Sequence, residues 1–441
     1  MDAIEKFIIE ETESPAPAFR ERMLYEKDTF PVISLQDVAE VLNLTIKADR
    51  TNKIIAFLCL LSTYTEDSQF NVTFNAPSSS GKSYIPLEVS KLFPKEDVKS
   101  VAHCSPTAFF HDHGALNKDS ATYHLSLERK ILIFLDQPHT KLLEKLRPFF
   151  SHDEKEIILK ITDKTQRSGL KTKNVVIRGY PSVIFCSAGL KIDEQEATRF
   201  LLLSPEITQD KLKGGIKEAL SKESDSQAYR KILENNPKRQ ALIERIEAIK
   251  QEGIEDIKIH EELRQYIETW FFQKYKMLNP RHQRDIKRLS CIIKSIALLN
   301  LWHREVNPRV IMVAKDDVET GIKIWDEISY SQEFNLSPYV FKIYTEVIEP
   351  LHKEKQKGLT REEILKKHIN LFERPLDKWK LGREIIPMLE AAGLVTEEDD
   401  PEDRRRKLLV PIYPTTQFEL KNEVINVNWD GEENINVNGI V

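Results

Sequence analysis

Between Phe70 and Pro205 the chain alternates short apolar runs, FNVTFN, KSVAH, ILIFLD and PSVIFCSA, with stretches of helical character. This alternation of short apolar strands with helices implies a parallel sheet between layers of helix, a three-layer α/β core. Thr51 to Tyr64 reads as one apolar helix ahead of the first run. Residues 206 to 325 read as helical throughout, with long charged faces, and Lys217 to Gln251 as a solvated helical pair. A chain of 441 residues has room for two or three such cores.

Charge and cysteine content narrow the function classes. The 65 basic and 70 acidic residues leave a formal charge of -5, so contact with nucleic acid has to come from a local basic feature. The four cysteines, Cys59, Cys104, Cys186 and Cys291, form no CxxC pair, against a zinc module or a disulfide framework. The longest apolar run, Ile54 to Leu61, is too short to span a bilayer, and the expectation is a soluble intracellular, cytoplasmic protein with no membrane partner. In FFHDHG, His111 and His113 flank Asp112 without further ligands at metal spacing, which leaves a polar loop.

Chemistry concentrates in two places. FNAPSSSGKSY, Phe74 to Tyr84, follows the first strand and precedes a helix, with the spacing Ala76-x4-Gly81-Lys82-Ser83 of a phosphate-binding loop. Backbone N–H groups of Pro77-Ser78-Ser79-Ser80-Gly81 and the helix start would surround phosphates, Lys82 would reach the β- and γ-phosphates of ATP, and Ser83 would ligate Mg2+. In KILIFLDQPH, five apolar residues bury a strand and deliver Asp136 to its end, where open α/β sheets place ligands and where it would organise the same metal ion. The next residue is the amide Gln137.

With these residues the chain resembles the AAA+ ATPases over roughly residues 50 to 325. The resemblance implies a polar sensor at Ser187, which ends PSVIFCSA, and an arginine finger at Arg199 for a neighbouring subunit's γ-phosphate, hence a homo-oligomeric ring, a hexamer. IILKIT and NVVIR flank DKTQRSGLKTK, where Lys160, Lys164, Arg167, Lys171 and Lys173 oppose only Asp163. Such a basic hairpin resembles the pre-sensor-one hairpin of superfamily III and minichromosome-maintenance helicases, which implies that Lys164, Arg167, Lys171 and Lys173 grip the DNA backbone inside a channel. NPRHQRDIKRL resembles the lid helix of that group, with Arg284 or Arg288, or else Lys287, as its nucleotide sensor.

The C-terminal third changes pattern. SPYVFKIYTEVIEPL, GLTREEILKKH with a capping box from Thr360 to Glu363, and WKLGREIIPMLEAAGLV read as three helices, and TEEDDPEDRRRKLLVPIY as two strands around a charged turn. That is the outline of a winged helix. The acidic residues before Arg404 to Lys407 offset their charge, which favours a protein contact over DNA. The divisions expected are an N-terminal helical segment at 1–48, the ATPase core at 49–215 with the hairpin at 157–178, a helical lid at 216–328, the winged helix at 335–415 and a tail at 416–441 in which INVN occurs twice.

The function these features imply is an ATP-driven hexameric DNA helicase or translocase of a replication system, of the mobile-element type, acting on a single strand or fork and relying on a separate primase or polymerase chain. Gln137 can hydrogen-bond the attacking water but cannot take its proton, so the chain should bind ATP tightly and hydrolyse it very slowly. The presence of Ser187 and Arg199 favours a glutamate exchanged for glutamine, an ATP-trapping variant. A natural amide would instead suit an AAA+ switch that loads or regulates a partner.

Overall fold

A computed structural model describes residues 23–102, 115–117, 122–138, 140–152, 154–163, 171–189, 198–307, 309–401, 403 and 405–412. Its centre is a five-stranded, wholly parallel sheet in the order β2-β5-β8-β1-β9, made of β1 (Val72–Asn75), β2 (Val98–Val101), β5 (Ile131–Phe134), β8 (Ser182–Ser187) and β9 (Leu201–Leu203). The four anticipated runs all became strands of this sheet, and LLL, not anticipated, added the fifth.

Alternate side chains of these strands feed two cores. Val72, Phe74, Ile131, Ile133, Ile184, Leu201 and Leu203 pack on one face, against the helix α2 (Arg50–Leu61). Leu132, Phe134, Val183 and Phe185 pack on the other. There they meet α4 (Thr140–Phe150), through Leu142, Leu146, Phe149 and Phe150, and a second sheet. Helix α2 is apolar all round because it is covered on one side by the sheet and on the other by later helices, so Lys53 to Leu61 are all buried. The helix α3 (Tyr84–Ser90) starts directly after the glycine-containing loop.

The second sheet has the order β3-β4-β7-β6, from β3 (Ala115–Asn117), β4 (Thr122–Ser126), β6 (Glu156–Asp163) and β7 (Lys171–Arg178). β6 and β7 form the expected antiparallel hairpin, in register from Glu156↔Arg178 to Asp163↔Lys171. Its turn, with Lys164 and Arg167, lies outside the described residues.

The N-terminal division expected at residue 48 is not a separate unit. Helix α1 (Leu35–Leu42) buries Leu35, Val38, Ala39, Val41 and Leu42 in the core that holds α2. The solvated pair exists as α5 (Gln209–Ser224) and α6 (Ser226–Glu234), neither of which buries a residue. It ends there, because α7 (Pro237–Glu252) buries Leu242, Ile246, Ala248 and Ile249. The helical run is also broken by a small sheet of β10 (Asp256–Lys258), β11 (Val306–Asn307) and β12 (Val310–Met312), two- and three-residue strands too short to show a period in sequence. Among the helices around it are α8 (Glu261–Lys274), α9 (His282–Leu299) and α10 (Lys315–Glu333).

Helices α9 and α10 approach closely at Gly321, where a Cβ would collide with Ile293 Cγ1. Gly321→Ala is therefore expected to cost about 1–3 kcal/mol of stability by overpacking, read as a lowered denaturation midpoint with an unchanged m-value.

Residues 336–409 hold a third, separate core. It is built by α11 (Pro338–Ile343), which runs through a π turn into α12 (Glu349–Lys355), by α13 (Arg361–Phe372) and α14 (Ile386–Ala391), and by the hairpin of β13 (Val395–Asp399) and β14 (Lys407–Pro411). Thr360 caps α13 with the reciprocal bonds to Glu363 that the sequence specifies. One hydroxyl bridges this unit and the main sheet: Ser204 Oγ donates to Asn75 O at 2.7 Å and accepts from Tyr339 N at 3.1 Å.

Candidate functional site

The candidate site lies at the C-terminal ends of β1, β8 and β5. Because β8 runs between β1 and β5, the loop after β1 faces the residue after β5 across the end of β8. The loop is bound to that end by Ala76 N donating to Ser187 O at 3.3 Å and Cys186 Sγ donating to Lys82 O at 3.4 Å. On the other side Ser83 Oγ donates to Leu135 O at 3.5 Å, adjoining Asp136. Burial pushes the Cys186 thiol up to about 12, with Ser83 and Lys82 pulling it down and Asp136 pushing it further up. One thiol thus senses the loop serine, the loop lysine and the strand-end carboxylate together.

The loop has the backbone of an anion nest. Ser79 and Gly81 take positive φ, 63° and 92°, and among the described residues the N–H groups of Gly81 and Lys82 find no acceptor. Pro77 is buried, Ser78 and Ser79 are exposed, and Ser80 is buried with a hydroxyl that has no partner. Asn75, fully buried at the strand end, donates through Nδ2 to Gly189 O while its Oδ1 is also unpartnered. Two orphaned buried oxygens beside unpaired N–H groups describe a site completed by something polar.

Opposite the loop, Asp136 and Gln137 are exposed, and Asp136 Oδ1 accepts from Gln137 N at 2.9 Å. Ser187 is buried, and its hydroxyl has two acceptors within reach, Gln137 Oε1 at 3.1 Å and Gly189 O at 3.2 Å. The structure therefore brings together Lys82, Ser83, Asp136, Gln137 and Ser187. For a divalent cation the donors on offer are the Ser83 hydroxyl and the Asp136 carboxylate, hard oxygens that fit Mg2+, which keeps most of its shell as water and substrate phosphate. Among the described residues no group of three or more His, Cys, Asp or Glu forms a denser metal site.

The three arginines are elsewhere. Thr198 and Arg199 precede β9, whose first residue pairs with the first residue of β1, so they lie at the N-terminal edge of the sheet, the end away from the loop. Arg199 Nε donates to Ser151 Oγ at 2.9 Å, just past α4. Arg284 donates to the Thr198 hydroxyl and Arg288 to the Thr198 carbonyl. Arg288 is also buried in an ion-pair network with Asp285 and Arg281, at 2.7 Å from Asp285, and burial pulls its guanidinium down to about 10. Neither Arg284 nor Arg288 reaches the glycine-containing loop of its own chain; Arg288 is a structural cation there. Lys171 and Lys173 lie on β7 across from Asp163 and Ile161 of β6.

Two contributors were missed in sequence. Asn75 had a faint signal, an amide ending an otherwise apolar strand. Lys211, at the start of α5, had none: its ammonium donates to Ser80 O at 3.2 Å and Glu206 O at 2.9 Å and pairs with the fully buried Asp49.

The chain matches no protein-family model, and no curated protein matches it significantly. Among the described residues no helix is long and apolar enough to cross a membrane.

Proposed function

We propose that the chain is an ATP-binding protein of the AAA+ type, built as a P-loop core with a helical lid and a C-terminal winged helix. The observation that carries this reading is the convergence of Lys82, Ser83, Asp136, Gln137 and Ser187 on the ends of three adjacent strands, around a loop with unpaired N–H groups. The nest and Lys82 hold the phosphates. Ser83 and Asp136 hold Mg2+, which neutralises phosphate charge when bound. Gln137, steadied by the Ser187 hydroxyl, orients a water at the γ-phosphate without accepting its proton, so the bound nucleotide persists.

Titration with a fluorescent ATP analogue and Mg2+ should give saturable binding of one nucleotide per chain, weakened by chelating the metal. Absence of saturation up to about 1 mM nucleotide would remove the reading.

The helicase form of this function, a hexamer translocating on DNA, rests on the β6–β7 hairpin and its basic turn. If Lys164, Arg167, Lys171 and Lys173 track phosphates, their combined replacement by alanine lowers single-strand affinity and flattens the salt slope by about 0.7 per lost contact. An unchanged slope in filter binding across a salt series would withdraw DNA from the list of partners. Arg199 and Arg284, at the far edge of the sheet, suit contact with a neighbouring subunit's nucleotide rather than their own.

A second reading, a switch that regulates or loads a partner, is favoured by two observations. Gln137 is already hydrogen-bonded as a neutral amide. In the terminal hairpin Lys407 pairs with Asp399 at 2.6 Å and Arg406 with Asp403 at 3.5 Å, so the described cations of its wing are offset by acids.

A further inference from the structure

We infer that Lys211 is a positioning residue for the phosphate loop, a staple that holds the loop open to anions and ties it to α5. The inference rests on the nucleotide reading above for its consequence, and on the loop's geometry for its cause.

The Lys211 ammonium has three donors and three oxygens around it: Ser80 O, Glu206 O and the Asp49 carboxylate. It donates to the two carbonyls and is neutralised by the Asp49 carboxylate as an ion pair, so it is unsuited to grasp a phosphate itself. Its effect passes through Ser80. A trans peptide is planar, with its C=O and the following N–H pointing opposite ways. Fixing the Ser80 carbonyl outward on Lys211 thus directs the Gly81 N–H away from the lysine, to the inner side of the nest. At Gly81 itself the backbone is left-handed, and a Cβ would stand 3.8 Å from the Lys211 Nζ, so the ammonium lies directly behind the turn.

The anchor of the staple is built, not incidental. Asp49 is fully buried in the left-handed region, φ 52°, a conformation that Asp tolerates better than most residues. Its Oδ1 accepts from Glu206 N at 2.7 Å and Asn52 Nδ2 at 2.8 Å, leaving Oδ2 for Lys211. Lys211 is in turn fixed by the Thr208 cap, whose hydroxyl accepts from Lys211 N at 3.3 Å. Helix α5 buries no residue of its own. Among the described residues it is attached by this ammonium, the Lys47–Glu218 pair at 2.8 Å, the bond from Gln209 Nε2 to Glu373 O at 3.3 Å and the close fit of Gly214 on the Lys47 side chain. An element that buries no residue of its own is among the first to move, so the state of the loop is passed to α5, and the position of α5 to the loop.

The test uses the full chain with ATP and Mg2+, alongside hydrogen exchange of the hydrogen-bonded α5 amides, Leu212 N to Thr208 O among them, without nucleotide. Lys211→Met should accelerate exchange at those amides, lower the melting temperature because the buried Asp49 carboxylate loses its partner, and weaken ATP binding about tenfold to a hundredfold. Lys211→Arg should restore most of the affinity. Asp49→Asn should give a similar loss, and the double variant should be no worse than either single one, the mark of one shared network. Lys211→Met that binds ATP and exchanges like the parent overturns the proposal, as does a purely additive double variant. If the parent chain binds no ATP, the nucleotide reading falls, and exchange across α5 alone decides the staple. Should Lys211→Met fail to fold, the Lys211→Arg and Asp49→Asn comparison carries the same two outcomes.

Discussion

Lys82→Ala is expected to weaken ATP binding by about a hundredfold or more while leaving the fold intact. The Lys82 side chain is half-buried, and in the loop only its carbonyl is engaged, by the Cys186 thiol. Its ammonium is therefore available for phosphate, where each charge-assisted bond contributes about 1.5–3 kcal/mol. The neighbouring cation, Lys211, already has three oxygens and cannot stand in for it. Two lost phosphate bonds correspond to at least two decades in the dissociation constant. Calorimetric titration with ATP and Mg2+ checks the number, and circular dichroism checks the fold. Affinity within about threefold of the parent would mean that the loop does not receive phosphate, since no other described role is left for the ammonium.

Gln137→Glu is the second large effect, a gain of about two to four orders of magnitude in ATP turnover. Position 137 is exposed and hydrogen-bonded to the Ser187 hydroxyl at 3.1 Å. A carboxylate of the same length accepts that bond equally well, so the exchange costs little in structure and adds a proton acceptor at the γ-phosphate. Steady-state phosphate release, with and without DNA, reads the change. The same variant with Ser187→Ala should lose most of the gain, because the base is no longer held in place. Turnover that stays negligible with DNA present would leave the chain as a holder of nucleotide and favour the regulatory reading over the enzyme.

The strand-end chemistry was legible because it is local. A strand, a turn and the next helix sit within about a dozen residues in FNAPSSSGKSY, and buried parallel strands advertise themselves as unbroken apolar runs such as ILIF. The Thr360–Glu363 box was legible for the same reason, three residues of separation and a reciprocal bond. What stayed hidden was set by distant partners. The cations of α9 look alike in sequence, yet Arg288 is buried on Asp285 and Arg284 is turned to Thr198, a choice made by tertiary packing. Lys211 reaches a carbonyl 131 positions away, for which no periodicity exists. The reading of 206–325 as wholly helical failed at β10 to β12 because two- and three-residue strands leave no pattern to count. The α/β core was thus readable strand by strand, whereas the wiring that steadies the loop was not.

The hydroxyl of Ser204 has a mechanical consequence. Among the described residues it is the one side chain that bonds both to the backbone of Asn75, where β1 ends, and to the first turn of α11. A tilt of the C-terminal unit by even an ångström stretches one of these two bonds, and the other lies one residue from the start of the loop. Load applied at one end of the molecule is thereby delivered to the end of β1 and the start of the glycine-containing loop through a rigid two-bond linkage.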